Sequence, residues 1–315
     1  MTIKSPKHEL NRRRFLAVFS AAGLSAALPS EVTKDMLKNA EEIAGLQFTE
    51  EERELMLEGL NEHLADYEKL RAVGIPNGVP PALYFNPVLP GMSVDGERRP
   101  IRLSEVGNDS VPANLEEVAF WPVTHLSKLI ESRRVSSTDL TKMYLGRLEK
   151  YGPKLECVIT LTEELALEQA RRADEEIAAG KYRGPLHGIP WGAKDLLAVK
   201  GYKTTWGAMP YKDQVIEEDA AVVKRLEEAG AILVAKLTLG ALAWGNVWYG
   251  GQTRTPWDYK KPSGGSSAGP GAATAAGLVG FAIGTETWGS IVSPSSACGV
   301  TGLRPTFGRV SRDGA

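Results

Sequence analysis

The sequence is poor in the residues that build metal centres and disulfide frameworks. Its 315 residues hold two cysteines, Cys157 and Cys298, and four histidines, His8, His63, His125 and His187. The cysteines are too far apart for a CxxC metal or redox motif and too few to staple a fold. Four scattered histidines starve any His-rich metal site, so neither metal nor cofactor is expected. Charge of one sign is also missing. Lys and Arg total 37 against 39 Asp and Glu, a net charge of -2, which leaves no broad basic field to hold nucleic acid. No apolar run reaches the ~20 residues of a membrane-spanning helix. What is present is ordinary for a folded protein: 43% hydrophobic and 24% charged residues, near globular averages. The length allows one large or two ordinary domains.

Residues 1–30 read as an export address. Arg12, Arg13 and Arg14 precede Phe15 and Leu16, a pattern resembling a twin-arginine signal. The apolar run from Phe15 to Leu28 is short, lacks a polar face and is diluted by Ala, Gly and Ser, as in a signal's hydrophobic region. Ser25-Ala26-Ala27 offers small residues for cleavage, and no cysteine follows for a lipid anchor. The expectation is passage through the twin-arginine machinery to a periplasmic or secreted location, with this segment outside the fold.

Residues 31–117 read as a helical N-terminal extension and connector. Thr49 and Glu52 form a capping-box pattern. Met56, Leu60, Leu64, Tyr67 and Leu70 then recur on one helical face. Gly74 and Pro76 mark the helix end, and the stretch to Pro100 is rich in Pro and Gly. From Phe120 onward helices alternate with short apolar strands. Ser136 or Ser137 is placed to cap a helix carrying Leu140, Tyr144 and Leu148. Thr162 is placed to cap a second that ends at Gly180. Asp219 is placed to cap a third that ends at Gly230, ahead of a buried strand from Ala231 to Leu237. Such alternation predicts an α/β sheet with helices on its faces.

Residues 264–302 contain ten glycines. A flexible linker would explain the density but not the order. Pro270 suits the first position of a helix through Ala276 with Gly277 as its stop, and Leu278–Ile283 reads as a buried strand. Gly265-Ser266-Ser267-Ala268-Gly269 is a literal GxSxG. That nucleophile elbow needs a central strand before it and a histidine after it, and no histidine follows His187. The glycines also match no phosphate-cradling pattern.

A third reading accounts for the segment. Lys194 follows a short apolar stretch in Gly192-Ala193-Lys194-Asp195. It combines with Ser263-Gly264-Gly265-Ser266-Ser267 and with Thr285-Glu286-Thr287-Trp288-Gly289-Ser290, 24 residues beyond Ser266. Together with Gly184–Pro190, Thr253–Asp258 and Cys298–Thr306, these motifs resemble the amidase signature family of serine hydrolases over residues 118–315. The resemblance implies an α/β/α fold with a mixed central sheet. It also implies a Ser–cis-Ser–Lys triad of Ser290, Ser266 and Lys194, with a cis peptide before Ser266. The backbone amides of Thr287, Trp288, Gly289 and Ser290 would form the oxyanion hole. The chemistry is coherent, because a serine hydroxyl needs a base and lysine is a base only where burial lowers its pKa. His187 reads as a packing residue, Asp195 as a local partner or support of Lys194, and Cys298 as a small buried side chain.

Three positions depart from the family pattern. Trp288 replaces the first of two usual glycines, Val292 stands where an arginine is common, and Ala268 replaces a glycine after the paired serines. Family members also continue beyond this signature, so the resemblance implies a chain truncated at its C-terminus. The implied function is hydrolysis of a small-molecule carboxylic amide to acid and ammonia or amine. The alternatives are a glutaminase like that of glutamyl-tRNA(Gln) amidotransferase, or an inactive truncated fragment.

Overall fold

Capping chemistry sets the limits of the first two helices. The structure, a computed structural model, describes residues 31–76 and 110–315, with a few isolated positions between them; the expected export segment lies outside the described residues. The chain divides at Pro76/Asn77 into two compact bodies. In the first, Thr33 caps α1 (Lys34–Ala44) and Gly45 ends it in the left-handed conformation. The Thr49–Glu52 capping box opens α2 (Glu50–Ala72) as expected. Arg53 grips the buried Glu41 carboxylate with two hydrogen bonds, Nε at 2.7 Å and Nη2 at 2.8 Å, joining the helices through a bidentate pair. The expected apolar face of α2 is only partly used. Met56, Leu60 and Leu64 are half-buried, whereas Tyr67 and Leu70 remain exposed. Two helices offer too little partner surface to cover a face of that length.

The second body is built on a four-stranded mixed sheet. In chain order its main elements begin with α3 (Val123–Glu131), α4 (Ser137–Leu155), β1 (Val158–Leu161), α5 (Glu163–Ala178), β2 (Pro190–Lys194), α6 (Ala221–Glu228) and β3 (Ile232–Leu237). Two small hairpins follow, β4 (Val247–Trp248) with β5 (Gly251–Gln252), and β6 (Arg254–Thr255) with β7 (Asp258–Pro262). The chain continues through α7 (Ala268–Ala275), β8 (Phe281–Ile283) and α8 (Val292–Cys298). The sheet order is β1-β3-β2-β8. β2 runs parallel to both β3 and β8, and β1 is antiparallel to β3.

Both central strands are buried along their whole length, as strands covered on two faces must be. Ile232 and Val234 enter a cluster with Leu148, Ala170 and Ala272 from α4, α5 and α7. Leu233, between them, joins Trp191, Ala193 and Val223 on the opposite face. The compact body also takes in chain before residue 118, since Val111 and Leu115 pack against the cluster of Val118, Leu126 and Tyr144.

Several expected caps serve other ends. Ser136 does cap α4, accepting from the Asp139 amide at 2.9 Å. Thr162 precedes α5, but its hydroxyl donates to the buried Leu233 carbonyl at 2.7 Å, a group that needs a partner inside the sheet. Asp219 accepts from the Lys200 amide at 2.8 Å instead of capping α6, which starts at Ala221. Helix α7 begins two residues earlier than Pro270 suggested, placing that proline third in the helix; the first turn has no internal N–H partners, so it is still tolerated. Arg147 of α4 closes the other end of α7, donating to the Gly277 and Ala276 carbonyls at 2.8 and 3.0 Å. Of the strand expected over Leu278–Ile283, only Phe281–Ile283 joins the ladder.

Candidate active site

The site forms where two neighbouring parallel strands end, the usual position of a crevice in an open α/β sheet. Lys194 is the last residue of β2, and β8 runs directly into the loop that carries Ser290. Ser266 and Ser267 immediately precede α7. The Gly265–Ser266 peptide is cis. A Cβ on Gly265 would stand 1.9 Å from the Gly245 carbonyl oxygen, so only glycine permits the close approach of these two loops.

Lys194 has no solvent exposure. Its Nζ lies 2.8 Å from Ser266 Oγ, 3.1 Å from Ser267 Oγ and 2.7 Å from Thr285 Oγ1. Burial lowers its pKa to about 7, against a smaller opposing pull from the Glu286 carboxylate. The hydroxyl inventory then constrains the proton path. A neutral amine has two N–H donors and one lone pair, so one of its three hydroxyl neighbours must donate to it. Ser267 Oγ already donates to the Thr285 carbonyl and accepts from the Thr285 amide, both at 3.1 Å. Ser266 and Thr285 are therefore the two hydroxyls able to hand a proton to the amine.

Ser290 is brought to the site through its backbone. Its carbonyl accepts from the Ser267 amide at 2.9 Å, which ties the loop after β8 to the paired serines. Its half-buried hydroxyl forms no hydrogen bond with Ser266 or Lys194. In unliganded sites such contacts are often long. Lys194 and Ser266 are thus in direct contact, and Ser290 adjoins them with its hydroxyl free.

The expected oxyanion amides divide into two groups. The Glu286 carboxylate turns back onto its own loop, accepting from the amides of Gly289, Ile291 (2.7 Å) and Val292 (3.1 Å). Burial opposes ionisation of Glu286, but the amides of Ile291, Val292, Gly289 and Ser290 together hold its carboxyl below the ordinary range. Gly289, expected as an oxyanion donor, is thereby committed to Glu286, because a carboxylate three residues upstream reaches back around the turn. Thr287 and Trp288, both exposed, keep amides without a partner among the described residues. Gly289 is the position with positive φ, +98°, and Trp288 is not. An L-residue therefore fits where the family pattern has glycine.

Around this centre, Asp195 forms a fully buried ion pair with Lys236 Nζ at 2.7 Å, and its second oxygen accepts from the Thr205 amide at 2.8 Å. Burial lowers the Lys236 pKa and Asp195 opposes that fall. His187 packs against Tyr182 and accepts from the Arg183 amide, away from these contacts. Burial raises both thiols, Cys157 to about 12, so neither is poised as a nucleophile. Among the described residues no group of three His, Cys, Asp or Glu side chains could hold a metal ion, and no helix is long and apolar enough to cross a membrane. Sequence reasoning missed Glu286, Ser267 and Thr285 as working parts. All three lie in the recognised motif segments, but nothing local shows that their side chains converge.

The fold and the site define an α/β protein that sets a buried lysine against paired serines at the strand ends of a mixed sheet. A family model described as Amidase matches residues 139–315, and the chain belongs to that family. It is 45% identical over 195 residues to a glutamyl-tRNA(Gln) amidotransferase subunit of Methylococcus capsulatus, covering 61% of this chain and 40% of that protein. The corresponding protein from Moorella thermoacetica is 41% identical over 201 residues, 63% of this chain and 41% of that one. Among solved structures, native peptide amidase from Stenotrophomonas maltophilia matches with 40% identity and a TM-score of 0.59, over 63% of this chain and 43% of the other. Fatty acid amide hydrolase matches with 28% identity and a TM-score of 0.60, over 63% and 36%. The chain thus spans about two-fifths of the length of the curated relatives it matches.

Proposed function

We propose that this chain carries the hydrolytic centre of an amidase that converts a carboxylic amide to its acid and ammonia or amine. Ser290 Oγ attacks the amide carbonyl carbon. Ser266 takes the Ser290 proton while passing its own to the neutral Lys194 amine. The Thr287 and Trp288 amides receive the developing oxyanion. On collapse the proton returns from Lys194 through Ser266 to the leaving nitrogen, and the C–N bond breaks to leave an acyl ester on Ser290. Water, deprotonated along the same path, then attacks the ester carbon; the acyl C–Oγ bond breaks to release the acid, and the proton returns from Lys194 through Ser266 to Ser290 Oγ. The observation that carries this reading is Lys194 Nζ lying 2.8 Å from Ser266 Oγ with its pKa brought to about 7 by burial. A fluorophosphonate probe followed by peptide mapping tests it. Covalent label at Ser290, lost in Lys194→Met, is expected; an unlabelled Ser290 in folded protein would overturn the assignment.

A second reading is glutaminase activity serving a tRNA amidotransferase, favoured by the 45% identity to a glutamyl-tRNA(Gln) amidotransferase component. Val292 weighs against it, since a cation there would be suited to an acidic substrate group. Ammonia release from glutamine, measured beside simple amides, separates the two. The location proposed for the protein is periplasmic or secreted, through twin-arginine export. Support comes from Arg12 and Arg13 ahead of a short apolar run. Export should stop when both are changed to Lys, and unchanged export of that variant would exclude the route.

A further inference from the structure

Two exposed tryptophans near the site stack on each other. Trp288 is 82% exposed and Trp244 is 72% exposed. Their ring centroids are 6.0 Å apart with planes inclined by 26°. They come from different loops, one carrying Ser290 and the other packed against the segment of Ser266. Trp288 lies two residues before Ser290. Trp244 belongs to the loop whose Gly245 carbonyl abuts Gly265 and whose Gly240 amide donates to the Ser266 carbonyl at 3.3 Å. The indole pair therefore bridges the segments of Ser266 and Ser290.

The Trp244 loop is held in an uncommon backbone form. Leu242 and Ala243 sit at φ +53° and +60°, a region that L-residues seldom occupy and that persists where surrounding structure imposes it, often beside functional sites. Leu242 is also 63% exposed. The nucleophile loop itself carries the Glu286 carboxylate, which disfavours an acidic substrate group, and the exposed Val292 follows it with an apolar surface. We infer that Trp244 and Trp288 form an aromatic wall that selects amides bearing an uncharged aromatic group. This inference rests on the amidase reading and names its substrate class. A substrate ring laid on the open face of the stack gains both apolar burial and ring–ring contact.

The test uses the full chain carrying Ser290→Ala, so that binding is read without turnover. Calorimetric titration compares 3-phenylpropanamide with butanamide. The aromatic amide should bind about tenfold more tightly. Trp244→Ala and Trp288→Gly should each erase most of that preference, and Trp288→Phe should keep it. Both indoles are exposed, so these changes leave the core intact. Equal affinities, or a preference that survives both truncations, would overturn the inference and assign the stack to a contact with protein surface. Unaltered Ser290 protein is assayed for hydrolysis in parallel. Aromatic binding without turnover would overturn the amidase reading while leaving the wall in place.

Discussion

Lys194 Nζ and Ser266 Oγ stand 2.8 Å apart with Lys194 wholly removed from solvent. That contact makes lysine a candidate base, because the amine is surrounded by hydroxyls and lacks a carboxylate close enough to keep it charged.

Replacing Lys194 by Met should abolish amide hydrolysis by about 10²–10⁴-fold, the range for loss of a positioned proton-transfer group. The same substitution should raise the melting temperature, and more so at pH 6 than at pH 9. Folding lowers this lysine's pKa from 10.5 to about 7, so the folded state binds fewer protons than the unfolded state between those values. The penalty is therefore largest below pH 7 and shrinks as pH rises toward 10.5. Equal melting shifts at both pH values would show that Lys194 is not desolvated.

Activity should rise with pH through an acid limb centred near 7, where Lys194 loses its proton. A kcat/KM profile on a neutral amide measures this directly. A limb near 5, or a flat profile from pH 5 to 9, would remove Lys194 from the role of base.

Glu286 holds the amides of Gly289, Ile291 and Val292 and so fixes the backbone around Ser290. Glu286→Ala should lower kcat by about 10-fold or more, since hydrogen bonds to a charged acceptor contribute about 1.5–3 kcal/mol each. Glu286→Gln should keep part of the activity through its remaining acceptor oxygen. Both changes should also move the acid limb downward, because the carboxylate raises the Lys194 pKa. An upward shift would contradict that coupling.

The buried Asp195–Lys236 pair anchors the chain directly after Lys194. Breaking it on one side, as in Lys236→Met, should destabilise the fold by about 3–5 kcal/mol by stranding a buried charge. Adding Asp195→Asn to that variant should recover part of the loss, since Asn still accepts from the Thr205 amide. Denaturant unfolding of the two single variants and the double variant measures the coupling. Strict additivity would mean that the pair does not interact.

Much of this protein could be read along the chain. Hydrophobic periodicity and local caps or stops located α2, α4, α5, α6 and α7, with Thr49 and Ser136 acting as local hydrogen-bonding rules require, whereas α1, α3 and α8 emerged only in the structure. The motif segments around Lys194, Ser266 and Ser290 picked out those residues through their resemblance to the amidase signature family. Other features depend on partners distant in sequence. Thr162 and Asp219 carry the right residue type for a cap, yet a sheet carbonyl and the Lys200 amide compete for them. The placing of Asp195 against Lys236 follows from strand order, which no local pattern encodes. Glu286 turns onto the amides beside Ser290 only once β8 and α8 set the turn between them. The meeting of Trp244 with Trp288 likewise requires two loops brought together by the sheet. Residue type and short-range spacing therefore determined the chemistry available, and tertiary packing decided which atoms share it, because hydrogen bonds and ring contacts act over a few ångströms between segments far apart along the chain.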